Sequence, residues 1–218
     1  MNPQYILVIA VIIIMGWFAF GVLYNLRRGD RLLKWMQAGL PGIGQKTTFR
    51  WLGTSVAELV IARAKKPFRR LETLLVFRPR DVFWMAILAY FQGRSDIVIF
   101  RAHLTTTPVA DLDLVDPKTW SGRTAYNQLE RRKWESKAYQ GLQLMAPKGL
   151  LDLATTTLDR LAAPMEKLSS RYIRFSLRRD ASQPNLEVHV PFPSYRDTDA
   201  HKYFEALRDL ARAVSERE

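Results

Sequence analysis

The sequence predicts an α+β protein in which a single N-terminal transmembrane helix is followed by a cytoplasmic domain of mixed helices and strands. Three observations lead there. Tyr5 to Tyr24, YILVIAVIIIMGWFAFGVLY, holds no charged residue, and twenty helical residues rise about 30 Å, the thickness of a bilayer's hydrocarbon core. Beyond it, short runs of alternating apolar and polar residues lie between Gly, Pro, Asn and Asp, the pattern of half-buried strands. Between those runs are longer stretches whose apolar residues recur at helical spacing.

The apolar run reads as a retained span. A cleavable signal peptide starts with basic residues and ends at a small-residue site, whereas MNPQ carries no charged side chain. The arginines come afterwards: Arg27, Arg28, Arg31 and Lys34 stand against one acid, Asp30, and basic residues beside a span stay on the cytoplasmic side. Residues 1–4 are thus expected outside, 5–24 in the membrane, 25–46 as a basic juxtamembrane segment, and 47–218 as the cytoplasmic domain. The net charge of +12 is uneven, with 13 Lys/Arg and 3 Asp/Glu in residues 25–80 against 20 and 18 in residues 81–218. Arg27, Arg28, Arg31 and Lys34 are therefore expected at lipid headgroups, where each contributes about 1 kcal/mol. With no cysteine the chain has neither a disulfide framework nor a thiol for catalysis or lipid attachment.

After the span, Asp30–Ala38 reads as a short amphipathic helix with Leu32, Leu33, Trp35 and Met36 as its apolar residues, and Gly39, Pro41, Gly42 and Gly44 end it in a flexible tether. TTFRWLG reads as a strand. SVAELVIAR and RRLETLLVF read as a hairpin around AKKPF, although Val56–Ala64 also fits a helix. Two similar successions follow. LLVFRPRD, the helix Val82–Gln92, DIVIFRAHL, a turn at Pro108 and DLDLV are matched by LQLMAPKG, the helix Leu150–Leu168, YIRFSLRRD, a turn at Pro184 and LEVHV. A helix closes each, Gly122–Trp134 and Thr198–Glu216. This order, and Pro79/Arg80 against Pro147/Lys148, suggests two β-α-β-β-α pseudo-repeats in halves 70–135 and 137–218, with right-handed crossovers and helices on one face of a sheet. In the last helix Thr198 or Asp199 caps a stripe of Tyr203, Phe204, Leu207, Leu210, Ala211 and Val214.

Motifs that carry chemistry are sparse. GLPGIGQKTT has the glycine spacing of a phosphate-binding loop, but Gln45 stands where lysine is needed and no strand precedes it. Asp111 and Asp113 are expected on one solvated strand face, with Asp116 near the strand's end and no further ligand for a cation. His103, His189 and His201 are too scattered for a zinc signature, so no metal, cofactor or catalytic residue is assigned. His103 and His189 do fall on matching strands, and with Asp111 and Asp113 they define the alternative of a membrane-bound enzyme whose site forms across the fold. FRWLG and RRKWESKAY mix basic and aromatic residues without matching a nucleic-acid motif, so a nucleic-acid tether stands only as a second alternative.

One helix is unusual. Asp81 is the expected N-cap of Val82–Phe91, ten apolar residues that rise about 15 Å, half of a crossing. Aligned at the Pro-basic corner, the solvent positions of its partner helix, Asp152, Thr155, Thr156 and Asp159, match Trp84, Ile87, Leu88 and Phe91. The inward positions Leu151, Ala154 and Leu158 match Phe83, Ala86 and Tyr90. The helix thus carries a second apolar stripe, which another part of the chain, the lipid interface or a membrane protein has to cover. Trp84, Ile87, Leu88 and Phe91, with Arg78, Arg80 and Arg94, are expected to dock the domain on the membrane or on a partner in it. The function expected is a membrane-anchored cytoplasmic binding or scaffold domain, an accessory component of a membrane complex. Its partners are the bilayer and an integral or peripheral membrane protein.

Overall fold

The computed structural model describes residues 3–216, so part of the expected outer N-terminus, residues 1 and 2, lies outside the described residues. The apolar run forms the first half of one unbroken helix, α1 (Pro3–Gly39). Its apolar stretch is long and hydrophobic enough to cross a membrane. The expected break between the apolar run and the amphipathic helix is absent, because no Pro interrupts Tyr24–Ala38 and Asn25 and Gly29 fall in a continuous seam that the helix buries. Gly21, Asn25, Gly29, Leu32, Met36 and Gly39 recur every three or four residues and are all buried. The domain therefore begins inside α1 rather than at residue 47.

Nor are residues 39–44 a flexible tether. A 3-10 turn, Leu40–Gly42, follows α1; Leu40 and Ile43 are buried, and the Ile43 carbonyl accepts the Lys65 N–H at 2.6 Å. The turn leads into β1 (Gly44–Trp51), and β2 (Val56–Ala64) and β3 (Phe68–Val76) complete an antiparallel meander. The strand reading of Val56–Ala64 holds because Ala57, Leu59 and Ile61 alternate onto the core.

The remaining elements are α2 (Phe83–Phe91), β4 (Ile97–Leu104), β5 (Leu112–Val115), α3 (Trp120–Arg131), β6 (Glu135–Tyr139), β7 (Leu142–Ala146), α4 (Leu151–Leu168), β8 (Arg174–Leu177), β9 (Leu186–Pro191) and α5 (Ala200–Ser215). All the described strands join one sheet in the order β1-β2-β3-β4-β9-β8-β5-β7-β6, and every neighbouring pair is antiparallel. The main core lies between one sheet face and the C-terminal half of α1, α4 and α5. Leu59, Leu75, Phe100, Leu114, Leu144, Phe175 and Val188 meet Leu32, Met36, Leu158, Leu161, Phe204 and Leu207 there. Asp199 caps α5 by accepting the His201 N–H at 2.7 Å, and the expected stripe of that helix is buried.

The expected halves do not stand apart. β4 of the first pairs with β9 of the second, and β5 of the first lies between β7 and β8 of the second. The two successions share an order of elements but not a pairing. β3 and β4 are adjacent and antiparallel, so α2 spans no parallel crossover. β7 and β8 are both antiparallel to β5, hence parallel to each other, and α4 bridges them. The helices are not on one face either, since α3 packs on the reverse face through Ala125 and Leu129 against Val115 and Met145.

The contact that joins the membrane-length half of α1 to the domain is close enough to test. A Cβ on Gly21 would stand 2.3 Å from the Arg80 carbonyl oxygen, whereas one on Gly16 would meet nothing within 4 Å. Gly21→Ala is expected to cost about 2 kcal/mol through overpacking and to lower the melting temperature by roughly 4–8 °C. Gly16→Ala is expected to leave it unchanged or slightly raised, since alanine favours helix. Thermal unfolding of the full chain in mild detergent, followed by circular dichroism, distinguishes the two.

Candidate membrane-docking surface

The corner between β3 and α2 is built around buried polar groups. Asn25 faces inward at the domain end of the apolar run. Its Nδ2 donates to the carbonyls of Thr54 and Arg78, each at 3.2 Å, and its Oδ1 accepts from Arg80 at 2.9 Å. Arg80 also donates both terminal nitrogens to the Asp96 carboxylate at 3.0 Å, the bidentate fork that suits guanidinium to carboxylate. Arg28 reaches the same carboxylate at 2.9 Å, and the Arg78 N–H donates to it at 2.7 Å. The Asp96 side chain is 3% exposed, so a buried anion is matched by two cations and a backbone donor. That one carboxylate ties together α1, the Pro-Arg corner and the start of β4.

Asp81 is not the cap of α2. Its carboxylate accepts the Thr54 hydroxyl at 2.6 Å, and Val82 stands at the N-cap with no side-chain bond. The far end is closed by backbone alone: Gly93 takes φ +63°, the Gly93 N–H donates to Tyr90 and the Arg94 N–H to Ala89. That six-to-one bond across a left-handed residue is a stop that glycine favours.

Among the described residues, α1 covers α2 only along one narrow face. Trp84, Ile87, Leu88 and Phe91 are 68%, 42%, 54% and 80% exposed. The expected inward face is also open, with Phe83 52% and Tyr90 70% exposed; Ala89 alone in the helix is buried. The alignment with α4 misleads because α4 lies on the sheet, burying Ala154 and Leu158, while α2 leans away from the sheet onto α1. Phe83 packs edge-on against Trp17, with ring centroids 5.0 Å apart. At about 200 Å² for each fully exposed large side chain, α2 leaves on the order of 800 Å² of apolar surface open. That exceeds the patches soluble monomers normally carry, and covering it is worth on the order of 20 kcal/mol before entropic costs.

The arginines named from the sequence divide into two groups. Arg80 is held in the corner and stacks over Tyr24 at 5.0 Å. Arg78 lies over Tyr90 at 5.7 Å, and Arg94 over Trp120 at 3.7 Å, so these two frame α2. Of the expected headgroup residues, Arg28 has its internal partner in Asp96, Arg31 reaches the Tyr195 hydroxyl at 3.4 Å, and Arg27 and Lys34 are exposed.

The residues proposed for a scattered catalytic site do not converge as a set. His103 and His189 are separated by four residues along β4, because His189 is in register with Ile99, which amounts to about 13 Å of strand. Asp111 accepts the Arg179 N–H at 2.8 Å. Asp113 is fully buried rather than solvated, where it accepts Arg174 Nε at 2.7 Å and binds Arg178. Arg174 in turn lies 3.7 Å from Glu187, and Glu187 lies 2.5 Å from His189 Nε2 and 3.5 Å from Arg101. His189 and Asp113 thus belong to one charged row on the reverse sheet face, tied through Arg174. Burial alone would raise the Glu187 carboxyl, but the His189 hydrogen bond and the charges of His189, Arg174 and Arg101 outweigh it and hold its pKa at about 2. Among the described residues no group of three or more His, Asp or Glu could hold a metal.

Sequence reasoning missed Asn25, Asp96, Trp17 and Trp120. A polar residue directly after the apolar run was the one available sign of Asn25, and nothing local marks Asp96. No protein-family model matches the chain, and no curated protein is significantly similar to it.

Two outcomes test this arrangement. Asp96→Ala leaves Arg28 and Arg80 without their buried anion and is expected to destabilise the full chain in mild detergent by about 3–5 kcal/mol, read from urea unfolding. Glu187 contributes stability that is present above its unfolded pKa of 4.5 and is lost as pH falls towards about 2. The stability difference between the native chain and Glu187→Gln is therefore expected to shrink steadily as pH falls from about 4.5 towards about 2.

Proposed function

We propose that this chain is a membrane-anchored protein whose cytoplasmic α+β domain binds or scaffolds other components of a membrane complex. One observation carries the reading. The membrane-length half of α1 is joined to the domain through Gly21 and Asn25, and the helix beside that junction, α2, leaves its apolar side chains open. A surface of that composition favours docking against the membrane or a protein within it. Arg27, Arg28, Arg31 and Lys34 at the domain end of the apolar run support a single pass with the N-terminus outside and the domain in the cytoplasm.

The membrane-bound enzyme is less well supported. His103 lies four residues along β4 from the position of His189, and Asp113 and Glu187 are held in ion pairs with Arg174, Arg178 and His189 along one sheet face. A nucleic-acid tether gains little from the basic excess, because no nucleic-acid motif accompanies it and Arg27, Arg28, Arg31 and Lys34 lie at the end of the apolar run.

Purification of the full chain from its native membranes in mild detergent tests the proposal. A partner that co-purifies reproducibly and in stoichiometric amount is the outcome expected. A chain that repeatedly isolates alone from those membranes overturns the scaffold reading and favours the enzyme.

A further inference from the structure

We infer that α2 lies within the hydrocarbon edge of the cytoplasmic leaflet, alongside α1, as a second membrane contact that does not span. The inference rests on the membrane-anchored reading above and names what covers α2.

Depth is the first argument. Phe83 packs on Trp17, and Gly21 lies against Arg80 and Asp81 at the root of α2. Gly21 and Trp17 are three and seven residues inside Tyr24, the end of the apolar run, which places the start of α2 roughly 5–10 Å inside that end along the helix axis. At the same level Phe18 and Phe20 of α1 also face outward. Whatever surrounds the apolar half of α1 at that level therefore surrounds α2.

The second argument is the distribution of exposure. Phe83, Trp84, Met85, Ile87, Leu88, Tyr90 and Phe91 are open around most of the helix, and only the narrow face of Ala86 and Ala89 is covered. A protein partner covers one face of a short helix, whereas lipid chains wet every face. The third argument is the rim. Arg78 over Tyr90, Arg80 over Tyr24 and Arg94 over Trp120 set cations and amphipathic rings around an apolar helix that itself lacks charge, the composition that favours the bilayer interface. A helix of nine residues is too short to cross, and its open side chains leave it in lipid only to a shallow depth.

The absence of cysteine makes the test direct. Single cysteines at Leu88, Phe91, Ile12 and Ser182 are introduced into the full chain, labelled with a nitroxide, and reconstituted into phosphatidylcholine/phosphatidylglycerol vesicles. Relaxation by oxygen, which concentrates in lipid, is compared with relaxation by a water-soluble nickel chelate, and circular dichroism confirms that each variant is folded. The expected result is an oxygen-to-nickel ratio at Leu88→Cys and Phe91→Cys severalfold above that of Ser182→Cys and similar to that of Ile12→Cys. A water-like ratio at both α2 sites, with Ile12→Cys in lipid, overturns the inference alone. Protection from both reagents at the α2 sites overturns it in favour of a second copy covering the helix. A water-like ratio at Ile12→Cys overturns the anchored reading, and this inference with it.

Discussion

The buried carboxylate of Asp96 is the constraint around which the structure is arranged. An apolar helix has nothing on its surface that fixes it to a polar domain, so the join has to be made by groups near its end. Asp96 is matched by Arg28 from α1, by Arg80 and the Arg78 N–H from the corner, and through Arg80 by Asn25 of α1. Bringing two cations and an anion out of water is costly unless the geometry is well satisfied. Here the bidentate fork and the backbone donor satisfy it, and the arrangement tolerates few alternative placements of α1.

Two consequences follow from that fixed placement. Gly21 and Gly29 let α1 approach the Arg80 carbonyl and the Trp51 ring more closely than a side chain would allow, so the helix continues from its apolar half into the core without a hinge. The corner that holds Asp96 also projects α2 away from the sheet and onto the apolar half of α1. A helix of such composition would ordinarily be buried in a core. Its exposure is a product of where the corner points, and it is the feature that gives the surface a reason to meet lipid.

Much of the architecture was legible in the chain. The long apolar helix, the strands β1 to β3, the strand-helix order and the stripe of α5 follow local patterns, and they survive in the fold. What was not legible depends on long-range partners. The continuity of α1 required Leu32 and Met36 to find the sheet. The failure of the halves to separate came from β4 pairing with β9 and β5 with β8, which no local pattern encodes. Asp113 looked like one of a row of surface acids and proved buried because Arg174 and Arg178 converge on it from another strand and its turn. At the docking surface, Trp84, Ile87, Leu88 and Phe91 were visible as an apolar stripe, but Phe83 and Tyr90 were misassigned as core because α2 was compared with a helix that packs on the sheet.

The central claim is that the membrane-length half of α1 and the α+β domain form one rigid unit. It is tested most directly by pulsed electron-electron distance measurement between nitroxides at Ile9→Cys and Ser182→Cys in the full chain reconstituted in vesicles. The account predicts a single narrow distance distribution that broadens when Asp96→Ala is added. A broad distribution in the otherwise native chain, unchanged by Asp96→Ala, would contradict it and mean that the span is tethered to the domain by a flexible joint.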